Sequence, residues 1–170
     1  MELVNKVAQS GLLTFDLEDL YPAPGTILSF DLKDHLFKGL ILREKDFREA
    51  LGSTDWSVYK DKVVAVHCSA DAIIPNWAWM LVAANLEPVA QQVVMGTPQQ
   101  ALVRFYELAI QQVPVNTYVD QRVVIKGCSD KEVPAEAYLA ITNHLRPVVK
   151  SIMYGEPCST VPVYKKKESA

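Results

Sequence analysis

Cys68, Cys128 and Cys158 are the residues of this chain best suited to chemistry, and they are its only cysteines. Each follows a stretch that reads as a β-strand, and each is followed directly by a serine. A thiolate is both a nucleophile and a soft metal ligand. Adjacent strands lie ~4.8 Å apart, so thiols at equivalent positions of two neighbouring strands could share one metal ion. The Glu156-Pro157 turn could fold Cys158 back over the same edge. His67 adjoins Cys68 and is the first choice for a fourth ligand, with Asp71 and Glu156 next. Zinc accepts three sulfurs plus a nitrogen or oxygen. An iron–sulfur cluster usually takes four thiolates, so three would leave one iron open. The expectation is a metal-binding protein with zinc or an iron–sulfur cluster on these residues. Two alternatives stand beside it. One is a thiol-dependent enzyme in which a single cysteine, lowered in pKa at a helix N-terminus, accepts a sulfur or acyl group. The other is a scaffold or binding module whose cysteines pack as small apolar side chains.

The elements that must position these thiols are written twice. Lys62 to Ser69 (Lys-Val-Val-Ala-Val-His-Cys-Ser) matches Arg122 to Ser129 (Arg-Val-Val-Ile-Lys-Gly-Cys-Ser). With a one-residue gap the match continues: Pro75 on Pro134, Ala78 on Ala137, Leu86 on Leu145, Pro88 on Pro147, Gly96 on Gly155. Each copy predicts strand, loop, helix, strand. Continuous apolar runs such as Val63 to Val66 suit strands covered on both faces. Strands alternating with helices predict β-α-β crossovers and a parallel sheet. The fold class expected is α/β: a small doubly wound, Rossmann-like layer built from two β-α-β repeats, with the strands of Val63 and Val123 adjacent at its centre. Ligand sites in open α/β sheets lie at the carboxyl ends of the strands, where the cysteines fall.

Residues 1–60 read as an N-terminal extension packing on the core, with short strands at Leu12 to Leu17 and Thr26 to Leu32, a third near Gly39 to Leu42, and a helix from Glu44. Residues 61–164 form the duplicated core, and 165–170 a basic flexible tail, in one structural domain. Asp55 is placed to cap a helical turn, and Thr97-Pro98-Gln99-Gln100 has the form of a capping box. His144, in the last turn of its helix, reads as structural, and His35 as surface. Trp77 and Trp79, two apart on one helix, should not both face one core.

A formal charge of −3 offers no global attraction for nucleic acid or an anionic membrane. The longest apolar run, Trp77 to Ala84, is too short to span a bilayer. The first residues carry neither a basic n-region nor an apolar h-region, and the odd cysteine count fits a reducing compartment, so a cytoplasmic protein is expected. The internal pseudo-symmetry suits a homodimer.

Three stretches carry a resemblance: His67 to Pro75, Lys126 to Ser129 and Ser151 to Ser159, with Phe37 to Phe47 similar as well. They resemble an uncharacterised bacterial domain-of-unknown-function family over most of the chain. The resemblance implies no established activity and assigns no catalytic residue. It implies a loose association with iron–sulfur assembly genes, and hence iron–sulfur assembly proteins as partners in cluster assembly or repair.

Overall fold

The two most apolar strand sequences each become the interior of a separate sheet. The computed structural model describes residues 11–127 and 129–167. Its strands are β1 (Leu12–Asp16), β2 (Ile27–Asp31), β3 (Val63–His67), β4 (Gln92–Met95), β5 (Arg122–Lys126), β6 (Ser151–Glu156) and β7 (Ser159–Lys165). Its helices are α1 (Glu44–Ser53), α2 (Asn76–Leu86), α3 (Pro98–Gln111) and α4 (Ala135–Leu145). One sheet has the order β2-β3-β4 and the other β1-β5-β6-β7. The chain divides correspondingly into a first unit, up to Tyr21 and from Tyr106 onward, and a second unit, Pro22–Phe105.

In the second unit all three strands run parallel. One face of the sheet buries Phe30, Val64 and Val66 against Phe47 and Leu51 of α1 and Ala78, Val82 and Leu86 of α2. Spacing of four along α2 places those last three on one stripe. The other face buries Val63 and Ala65 against Ala101 of α3, with Ile27, Val94 and Phe105 beside them. β3 is thus covered on both sides, as its unbroken apolar run requires.

In the first unit β1, β5 and β6 are parallel, and β7 returns antiparallel along the outer edge of β6. Pro162 lies on β7, an edge strand, where a missing N–H is tolerated. The buried stripe of α4 is Ala137, Ile141 and Leu145, the counterparts of Ala78, Val82 and Leu86. The duplication seen in the sequence is therefore real at the level of packing. Mixed α/β architecture with mostly parallel strands holds. The strands of Val63 and Val123, however, belong to different sheets and are not neighbours.

Local signals behave as their chemistry dictates. The Asp55 carboxylate accepts from the Ser57 N–H at 3.0 Å and opens a 3-10 turn, Trp56–Tyr59. Thr97 N–H donates to Gln100 Oε1 at 2.9 Å, and Gln100 N–H donates to Thr97 Oγ1 at 3.3 Å, closing the capping box. Near Gly39 there is only an isolated bridge, Phe37 with Ile41, instead of a third strand. Trp77 and Trp79 both pack against the second unit's core, because their large rings reach it from either flank of α2. The His144 ring sits 2.8 Å from the Val113 carbonyl oxygen, in keeping with a structural role. Among the described residues no helix is long and apolar enough to cross a membrane.

His35 is not a surface side chain. It stacks on Phe30 at 5.3 Å and meets Phe47 edge-on at 5.3 Å. Burial pulls its pKa below 6.5, although the Asp34 and Asp31 charges partly offset this. A depressed folded-state pKa means that the unfolded chain takes up the proton first. Stability is therefore intact above 6.5 and lost as the pH falls through that value towards the lower folded one. We expect His35→Phe to lose less stability than the parent between pH 7.5 and 5, measured by urea unfolding at each pH. Equal losses would mean that His35 contributes nothing to acid sensitivity.

Candidate functional site

At the carboxyl end of the second unit's sheet, β2 and β3 bring four polar side chains together. Register pairs Ser29 with Ala65 and Asp31 with His67, so Ser29, Asp31 and His67 share one sheet face. The hydroxyl of Ser29 lies 2.6 Å from His67 Nε2. Asp31 ends its strand and caps the 3-10 turn Leu32–His35, accepting from the Lys33 N–H at 2.9 Å. Its carboxylate also accepts the Ser69 N–H at 3.0 Å and the Ser69 hydroxyl. Partial desolvation alone would raise its pKa. The Ser69 hydroxyl, the Lys33 and Ser69 amides and the nearby His67 outweigh that and bring it to about 2.

The first unit builds a related edge with different chemistry. Asp16 caps the 3-10 turn Leu17–Leu20 as Asp31 caps its own, accepting from the Glu18 N–H at 3.0 Å. Lys126 Nζ lies 3.2 Å from Asp16 and 3.7 Å from Glu156, and the Asp16 carboxylate is the main reason that its pKa is raised. Glu18 is nearly buried and accepts the Ser129 N–H, the Ser129 hydroxyl and the Asp130 N–H. The Ser129 amide, first among these, holds the Glu18 carboxyl below its ordinary value. The buried Tyr106 hydroxyl donates to the Leu17 carbonyl at 2.9 Å, and burial raises its pKa.

Among the described residues, those expected to hold a metal form no metal-binding group. Cys68 is half-buried against the second unit's apolar cluster, and its thiol donates to the Ala70 carbonyl at 3.5 Å. Cys158 is exposed in the two-residue turn between β6 and β7, in the first unit. Cys128 lies outside the described residues. His67 is engaged with Ser29, Glu156 with Lys126, and Asp71 is exposed. Among the described residues no group of three His, Cys, Asp or Glu could hold a metal ion. The reading of a metal-binding protein with a zinc or iron–sulfur site on a cysteine cluster is thereby overturned. Its premise was two adjacent strands, and β3 and β5 instead sit in different sheets.

Comparison with known proteins gives a family without an activity. The family described as "Protein of unknown function (DUF2480)" matches residues 1–166. The chain belongs to this family. No curated protein and no solved structure matches it significantly.

Ser29 and Asp31 do carry a sequence signal. Leu13-Thr14-Phe15-Asp16-Leu17-Glu18-Asp19 and Leu28-Ser29-Phe30-Asp31-Leu32-Lys33-Asp34 are a second internal repeat, fifteen residues apart. It marks the two strand–turn segments whose aspartates cap.

The Asp31 network is testable by its titration. Followed by side-chain carbon NMR, Asp31 should titrate near a pH of about 2. In Ser69→Ala the midpoint should move up towards 3.8, because a hydroxyl donor to the carboxylate is removed. An unmoved midpoint would show that the hydroxyl does not matter.

Proposed function

We propose that the second unit is a serine-dependent acyl hydrolase whose nucleophile is Ser29 and whose base is His67. One observation carries this reading: Ser29 Oγ and His67 Nε2 stand 2.6 Å apart on an accessible sheet face. A hydroxyl is a weak nucleophile until a base takes its proton, and an imidazole at hydrogen-bond distance is suited to that task. Asp31 is in register with His67 and is held ionised, so a fixed negative charge stands beside the imidazolium as it forms. The position at the carboxyl ends of parallel strands, where α/β sheets commonly bind ligands, also supports it.

The steps balance. Ser29 Oγ attacks the acyl carbon of an ester while its proton passes to His67 Nε2. The leaving alkoxide departs with that proton as an alcohol. His67 then takes a proton from water, and the hydroxide attacks the acyl-serine carbon. The Ser29–acyl bond breaks, the proton returns to Ser29, and a carboxylic acid leaves. Ser29 is exposed, which fits small or flexible acyl groups.

The reading predicts turnover of p-nitrophenyl acetate and covalent labelling of Ser29 by a fluorophosphonate, read by peptide mass spectrometry. Ser29→Ala should abolish both. His67→Gln should slow turnover by ~100-fold or more, the range expected for loss of a general base. Cys68→Ser should leave the rate unchanged, which separates this chemistry from a thiol route. A protein that neither turns over the ester nor takes up the label at Ser29 is not such a hydrolase.

A further inference from the structure

A second site lies in the first unit, at the opposite end of its strands. Arg122 opens β5, Lys150 and Ser151 stand at the start of β6, and Lys165 ends β7, which returns beside them. With Met153, Pro162 and Tyr164 they line a pocket of about 420 Å³. That volume falls in the range of small-molecule sites, ~300–1,000 Å³. The lining holds three cations and no carboxylate. Among the described residues Arg122, Lys150 and Lys165 form no ion pair, whereas neighbouring Lys166 is paired with Asp120 at 3.0 Å. The Arg146 guanidinium, outside the lining, lies 4.8 Å from the Tyr164 ring centre. Met153, Pro162 and the Tyr164 ring supply apolar surface between these charges.

We infer that this pocket binds a phosphate ester with an apolar or aromatic body, of about the size of a mononucleotide. Arg122, Lys150 and Lys165 take the phosphate oxygens, the guanidinium of Arg122 through paired N–H donors and the lysines as point charges. Met153, Pro162 and Tyr164 receive the body of the molecule. The inference does not depend on the Ser29–His67 chemistry, which lies in the other unit.

Isothermal titration of the full chain with ATP, octyl phosphate and inorganic tripolyphosphate tests it. One-to-one binding of ATP, of octyl phosphate or of both, at least ten-fold tighter than tripolyphosphate, is expected. ATP and octyl phosphate distinguish an aromatic body from an aliphatic one. The double change Arg122→Gln, Lys150→Gln should weaken that binding ten-fold or more, while Lys167→Gln, outside the pocket, should not. Circular dichroism of the double variant would confirm that its fold is kept. Equal affinity for tripolyphosphate, or an equal loss from Lys167→Gln, would reduce the pocket to nonspecific charge and overturn the inference. Binding of a single-stranded oligonucleotide with no saturable binding of either ester would overturn it as well.

Discussion

Each unit hangs on a carboxylate that receives both the N–H and the O–H of a serine. Ser69 donates twice to Asp31, and Ser129 donates twice to Glu18. These bonds give the loops leaving β3 and β5 a protein partner immediately past the strand ends. Tying each loop to the adjacent strand–turn segment fixes the carboxyl end of its sheet. In the second unit that tie also keeps Asp31 ionised beside His67, so the anchor of the loop is at the same time part of the candidate site.

The two units use the same device from different positions. In the strand–turn repeat Ser29 corresponds to Thr14 and Asp31 to Asp16. Asp31 is in register with His67 and Asp16 with Lys126, so a lysine stands in the first unit where the second has its histidine. Asp16 accordingly takes Lys126 at 3.2 Å. The serine anchor has correspondingly moved two residues along, from the Asp31 equivalent to Glu18.

The local elements were legible because their signals are local. The capping box at Thr97, the Asp55 cap, the α2 and α4 stripes and the apolar runs of β3 and β5 each depend on residues within a few positions of one another. The assignment of strands to sheets was not legible. β1 pairs with β5 across more than a hundred residues while β2 pairs with β3, and hydrophobic periodicity is identical whichever parallel partner a strand takes. Cys68 directly follows β3 and Cys158 lies in the turn leaving β6, as the strand pattern implies. The convergence drawn from it needed one sheet, and the chain makes two. His67 adjoins Cys68 in sequence, but successive side chains of an extended chain point to opposite faces. Its real companions, Ser29 and Asp31, lie across the strand pair and could be found only through the second repeat.

The distribution of charge in the first unit separates its two ends. At the carboxyl ends of β5 and β6, Lys126 is held between Asp16 and Glu156, and its charge is cancelled locally. At the amino ends, Arg122, Lys150 and Lys165 face a pocket with no acid in its lining. Like charges gathered on one concave surface repel one another and focus a positive potential into it. Even exposed, they are an electrostatic load on the fold, which a bound anion relieves and which neighbouring carboxylates would otherwise offset. Asp120 stands close enough to pair with Lys166, so an acid at this end of the sheet is sterically accommodated. That none lines the pocket is the feature a structural role for these cations leaves unexplained and a ligand-binding role accounts for.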